Sequence, residues 1–238
     1  MSQRFERRWK ALWSRTRKEW LLLLLAVACL VLAWVFAKLG SEVLEGELRA
    51  VDRAVEHWMS RHRSPPAVAF FRVVTLFGAK EVLAPIGALL AWRIFRGTKA
   101  HVALLAFAAL AVGEFVAVLK RGFHVTRPAG GIEQGLGFSF PSGHATGGAV
   151  IAIVIAYAAI RERRHPWIIV PACIVVALLV GVSRLYLDVH WASDVIGGWL
   201  IGAAFGAGCC ALYELIPRPS PPHHAAARPN RVDPNGPG

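Results

Sequence analysis

Apolar residues fill long stretches of this chain, and charged ones gather in short clusters between them. The run from Leu21 to Leu39 carries one charge, Lys38, at its end, where a long side chain reaches water. At roughly 20 residues it is long enough to cross a bilayer as a helix. A second run extends from about Val73 to Phe95, interrupted in its first half by Lys80, Glu81 and Pro85; charges that deep face a protein interior or a polar cavity. His101 to Leu119 predicts a third span. The fourth is a helix that opens at Pro141, where a missing N–H costs nothing, and runs to Ile160. The fifth runs from Trp167 to about Val182 and the sixth from Trp191 to Leu215, with Gly198, Gly202 and Gly206 spaced for close helix contact. The pattern predicts an all-α, polytopic membrane protein with six transmembrane helices.

The polar segments divide the rest. Residues 1–20 mix Arg and Lys with Trp9, Trp13 and Trp20, a basic amphipathic segment suited to an anionic membrane surface. No small-residue cleavage site follows the first span, which argues against a cleaved signal peptide. Residues 40–72 predict an amphipathic helix at the membrane surface, with Val43, Leu44, Leu48, Val51 and Val55 as its apolar face and Ser64-Pro65-Pro66 as its end. The expected membrane domain is 21–216. Residues 217–238 are rich in Pro, Gly and small polar groups and read as a disordered tail, with His223 and His224 solvated.

Composition agrees with that division. Of 238 residues 55% are hydrophobic, and the formal net charge is +12. Nucleic acid is not the expected partner, because the basic residues are split among short clusters with apolar spans between them. Cys29, Cys173, Cys209 and Cys210 all fall inside apolar runs, without metal-ligand or CxxC spacing, so neither a metal nor a disulfide is expected. With a cytoplasmic N-terminus, the inner segments hold seven Lys and Arg in 1–20 and three in each of three further segments, against nine on the outer side. That excess places both termini in the cytoplasm. Glu114, inside the third span, is either a functional group or the partner of a basic residue near the next loop.

Three polar islands then fall on one outer face. KRGFHVTRP contains Lys120 and Arg127; FSFPSGH contains Ser142, Gly143 and His144; SRLYLDVHWASD contains Ser183, Arg184, His190 and Asp194. Three cations and a helix N-terminus suit a phosphate dianion and the charge that spreads over its oxygens during transfer. His190 and Asp194 stand at i and i+4, on one face of a helix. A carboxylate on one imidazole nitrogen orients the other for attack, and His144 serves as the second histidine, giving a proton to the leaving oxygen and later activating water. His124 receives no task.

These residues resemble the three-part signature of the type 2 phosphatidic acid phosphatase superfamily: Lys, six residues, Arg-Pro; then Pro-Ser-Gly-His; then Ser-Arg, five residues, His, three residues, Asp. Lys120, Arg127, Pro128, Pro141, Ser142, Gly143, His144, Ser183, Arg184, His190 and Asp194 match every defining position. The resemblance implies a phosphatase core related to vanadium haloperoxidases and metal-independent dephosphorylation, without a cofactor, through a phosphohistidine on His190. It implies His144 as acid and base, Asp194 as the orienter of His190, and Lys120, Arg127, Ser142, Gly143 and Arg184 as the phosphate cradle. The expected protein is a bacterial inner-membrane lipid phosphatase working on the periplasmic side. Its substrate is expected to be undecaprenyl diphosphate, phosphatidylglycerol phosphate or phosphatidic acid. A lipid phosphotransferase and a non-catalytic lipid-binding or transport protein are the alternatives; oligomeric state has no signal in the sequence.

Overall fold

The computed structural model describes residues 3–79, 81–82, 85, 99–132 and 137–216. Helix α1, Gln3–Glu45, joins the basic N-terminal segment to the first span without a break. Almost none of its apolar window is buried in the protein, as expected of a helix that turns its side to lipid. Gly46, with φ of 80°, turns the chain out of α1 in a conformation that a side chain would strain. Helix α2, Arg49–Arg61, follows, then α3, Pro65–Leu76.

Ser64 is the N-cap residue of α3 and the two prolines occupy its first turn, where their fixed φ is already helical. So Ser64-Pro65-Pro66 ends one helix and opens the next. The second apolar run therefore becomes helical earlier than Val73, and α3 stops at Leu76 before a turn at Phe77 and Gly78. Most of the remainder of that run lies outside the described residues, as does the predicted tail from 217 onward.

Helices α4, Lys99–Phe123, α5, Gly143–Arg161, α6, Pro166–Tyr186, and α7, Ala192–Leu215, complete the described elements. Helix α5 begins later than expected. Pro141 precedes it, and extended Ser142 is the N-cap residue, its carbonyl accepting from the Thr146 N–H at 2.9 Å and the Thr146 hydroxyl at 2.8 Å. The described residues contain no strand, and four helices are long and apolar enough to cross a membrane: Thr16–Glu45 within α1, and α5, α6 and α7. Glu114 lies on the exposed side of α4.

Helix α7 is the centre of the bundle and packs most extensively against α5 and α1, while α6 packs against α5. Its glycines explain the closeness. A Cβ on Gly198 would stand 2.8 Å from the Ser142 carbonyl oxygen, and one on Gly202 2.6 Å from that of Thr146. Phe140, fully buried, stacks on Phe36 of α1 at 5.5 Å and meets Phe123 of α4 edge-on at 4.8 Å. This aromatic cluster anchors the segment leading into α5 between α1 and α4.

Candidate active site

Because α4 to α7 alternate in direction, the C-terminal ends of α4 and α6 meet the N-terminal ends of α5 and α7. Lys120 and Arg184 come from the former pair, Gly143, His144 and Asp194 from the latter, and Arg127, Ser142 and His190 from the segments between. All eight residues singled out in the sequence thus stand at one end of the bundle.

His190 is 5% exposed, on the short connection between α6 and α7. Its Nδ1 lies 3.0 Å from Asp194 Oδ2, which also accepts the Trp191 backbone N–H at 2.9 Å. Arg127 Nη1 stands 3.2 Å from His190 Nε2 and donates to the Val189 carbonyl at 2.7 Å. A guanidinium can only donate, so Nε2 must present its lone pair and the ring proton must sit on Nδ1, facing the carboxylate. Burial holds the His190 pKa well below the ordinary histidine value, and Lys120, Arg127, Arg184 and His144 add to the effect. The imidazole is therefore neutral, with its free electron pair on the side of the cations.

Backbone carbonyls and a hydroxyl help to position the cations. Lys120 Nζ donates to the Phe138 carbonyl at 2.8 Å, and Arg127 donates to those of Gly137 and Phe138 at 3.1 and 3.3 Å. A carbonyl holds a cation in place without cancelling its charge. Arg184, 7% exposed, donates from Nη1 to the Thr75 hydroxyl of α3.

At the start of α5, the Ser142 N–H donates to the Asp194 carbonyl at 2.9 Å, tying this end to α7. The Ser142 hydroxyl is buried and has no hydrogen-bond partner among the described residues, as befits a group waiting for a ligand. Beside it are the N–H groups of a helix start. His144 lies against Gly78, where a Cβ would come within 3.0 Å of its own Cβ; the missing side chain lets the end of α3 close over the imidazole. His124 stands apart, its ring edge-on to Phe138 at 4.5 Å. Among the described residues no group of three or more His, Cys, Asp or Glu side chains is arranged to hold a metal ion.

Several supports were not legible in the sequence. Asp52 of α2 is buried, and its two oxygens accept the Ser193 N–H at 2.8 Å and the Ser193 hydroxyl at 2.7 Å, capping the first turn of α7 from another helix. In the sequence it looks like one more acid on a polar face. Tyr186 bridges the α2–α3 connection, accepting from the Ser64 N–H and donating to the His62 carbonyl, and Arg63 pairs with buried Asp188 at 3.5 Å. Thr75, on Arg184, is 109 positions away along the chain.

Residues 101–217 match the family model described as PAP2 superfamily. Phosphatidylglycerophosphatase B of Bacillus subtilis (strain 168) is 28% identical over 173 residues, 70% of this chain and 85% of that protein. An undecaprenyl-diphosphatase of Sulfolobus acidocaldarius is 33% identical over 134 residues, 53% of this chain and 61% of that one. Among solved structures, the transmembrane PAP2 type phosphatidylglycerolphosphate phosphatase from Bacillus subtilis superposes with a TM-score of 0.74 at 27% identity, covering 80% of this chain and 98% of that one. Aquifex aeolicus LpxE superposes with a TM-score of 0.52, also at 27% identity, covering 69% and 94%. A helical membrane core with all three polar islands at one end, matched in sequence and in shape to these phosphatases, makes this chain a member of the PAP2 superfamily.

Proposed function

We propose that the protein is an integral membrane lipid phosphatase that hydrolyses a lipid phosphate or diphosphate without a metal ion. The observation that carries the reading is the state of His190: neutral, protonated on Nδ1 toward Asp194, with Nε2 turned to Arg127. In the first step Nε2 attacks phosphorus, the P–O bond to the lipid breaks, and His144 gives its proton to the departing oxygen. In the second, His144 takes a proton from water, the water oxygen bonds to phosphorus, and the P–N bond breaks to release inorganic phosphate. Lys120, Arg127, Arg184, the Ser142 hydroxyl and the N–H groups from Gly143 onward bind the phosphoryl oxygens as their charge redistributes. Asp194 fixes the tautomer and stabilises the imidazolium side of the reaction.

In this reading six helices span a bacterial inner membrane, with a core related to vanadium haloperoxidases. Both termini are cytoplasmic, 1–20 lies on the inner surface, and the site opens to the periplasm. The distribution of Lys and Arg supports that orientation. Undecaprenyl diphosphate and phosphatidylglycerol phosphate are the first substrates to test, because relatives carry activities of those names; phosphatidic acid is the third.

The test is phosphate release by purified protein in detergent, with EDTA present, from each of the three lipids, beside His190→Ala. Release from at least one, insensitive to EDTA, inhibited by vanadate and absent in the variant, is the expected result. Full activity in the variant would overturn the mechanism. Transfer of phosphate to a lipid acceptor in place of water would make the protein a phosphotransferase, and no turnover with any acceptor would leave a lipid-binding protein.

A further inference from the structure

A cavity of about 480 Å³ opens between the C-terminal end of α1, helix α2 and the segment after α4. None of the eight residues of the candidate active site lines it. Trp191 forms part of its wall, with the indole N–H donating to the Thr126 carbonyl at 2.8 Å, so a strut closes the cavity on the side of His190 and Arg127. We propose that this cavity is a second site, which binds the anionic head group of a membrane phospholipid that is not itself hydrolysed.

Its lining has two characters. Arg49, Arg53 and His124 supply the polar part, whereas Val43 and Leu44, on the last turns of α1, supply the apolar part beside the Trp191 ring. Among the described residues of the lining the one carboxylate is Asp52, and both of its oxygens are engaged by Ser193. Ser193 is neutral and leaves the Asp52 charge in place, but two arginines against that one carboxylate still give the lining a net positive charge. Gly46 contributes by having no side chain, since a Cβ there would stand 2.9 Å from Arg49 Nε; the guanidinium lies back over this turn.

Position selects a lipid over a free anion. Leu44 is 57% exposed at the end of a helix whose apolar window faces outward, so a ligand with its phosphate between the arginines can lay its acyl chains along α1. A volume of this size falls within the roughly 300–1,000 Å³ usual for small-ligand pockets. A phosphodiester head group has the required charge.

The experiment measures binding, not turnover, and so is independent of the proposed reaction. Dioctanoyl phosphatidylglycerol, dioctanoyl phosphatidylcholine and inorganic phosphate are titrated calorimetrically into the purified full chain carrying His190→Ala. Saturating vanadate is added to fill the phosphate cradle of the candidate active site. Phosphatidylglycerol should bind at least tenfold more tightly than either other probe. The Arg49→Ala/Arg53→Ala double variant should lose that advantage, and Leu44→Gln should weaken phosphatidylglycerol without altering phosphate. All these positions are exposed, and thermal midpoints verify that each variant is folded. Equal affinity for phosphatidylcholine would overturn the charge argument, and phosphate binding as tight as phosphatidylglycerol would reduce the cavity to a bare anion site. Unchanged phosphatidylglycerol binding in the double variant, or its loss on adding vanadate, would place the ligand elsewhere.

Discussion

His190 has a proton on one nitrogen and a cation facing the other, an arrangement with a consequence for pH. In the reading proposed above, phosphoenzyme formation requires His190 neutral and His144 protonated. A histidine with an ordinary pKa near 6.5 would be roughly tenfold less available at pH 5.5 than at high pH. Burial and the surrounding cations hold His190 well below that value, so its neutral form persists as pH falls through the ordinary histidine range. The rate of 32P-phosphohistidine formation in rapid-quench experiments should accordingly not fall between pH 7 and pH 5.5, since His190 stays neutral and further protonation of His144 can only raise it. A tenfold fall would show that His190 titrates like a free imidazole. Asp52 permits a second prediction at this scale. Asp52→Ala leaves two buried donors of Ser193 without an acceptor, at a cost of about 1–3 kcal/mol. It also loosens the turn that contains Asp194, so kcat should drop by roughly tenfold or more with little change in KM. Asp52→Asn keeps one acceptor and should recover part of both losses; a drop in stability alone would restrict Asp52 to folding.

At the scale of elements, the contact between α5 and α7 is set by missing side chains. Gly202→Val would press a branched side chain into the Thr146 backbone, which cannot shift without moving the start of α5 and with it Ser142 and His144. Folded protein should be recovered poorly or not at all, as judged by size-exclusion profile in detergent. Gly208→Ala, on the same helix with nothing within 4 Å of its Cβ, should behave like the parent. The three-glycine stripe was read from the sequence as a packing feature, and the geometry agrees. The boundaries of α3 and α5 were not readable in the same way. Proline tolerates both the residue before a helix and its first turn, so Pro65 and Pro66 fall inside α3 while Pro141 stays outside α5.

Across the whole molecule, the end opposite the site has its own polar lock. Glu214 of α7 accepts from Arg161 Nε and Nη2 at 2.6 and 2.9 Å and from the Tyr157 hydroxyl at 2.9 Å, joining it to α5. Tyr213 adds a bond to Glu162 at 3.0 Å. Glu214→Gln should lower stability by about 1–3 kcal/mol, less than for a fully buried pair because the Arg161 side chain is 36% exposed. For a chain of this size that is roughly 2–4 °C of thermal midpoint per kcal/mol. Since the lock is a bundle length from His190, kcat should stay within about twofold of the parent, in contrast to Asp52→Ala.

The division between what was legible and what was not follows from the range of the forces involved. Hydrophobic length and the clustering of Arg and Lys are local properties, and they determined without any structure that this is a helical, multi-pass membrane protein. The order of the three islands, with helices alternating in direction, also determined that Lys120, Arg127, Ser142, His144, Arg184, His190 and Asp194 would come to one end. The pairing of His190 with Asp194 is an i,i+4 relation and equally local. Only the tertiary structure decided that Arg127 faces His190 Nε2, that Thr75 holds Arg184, and that Asp52 caps α7 from another helix. Those contacts join residues 63, 109 and 141 positions apart, and nothing in the neighbourhood of either partner encodes the other. The cavity beneath Arg49 and Arg53 is of the same kind: its charge was visible in the sequence, but its enclosure arises when α1, α2 and the segment after α4 come together.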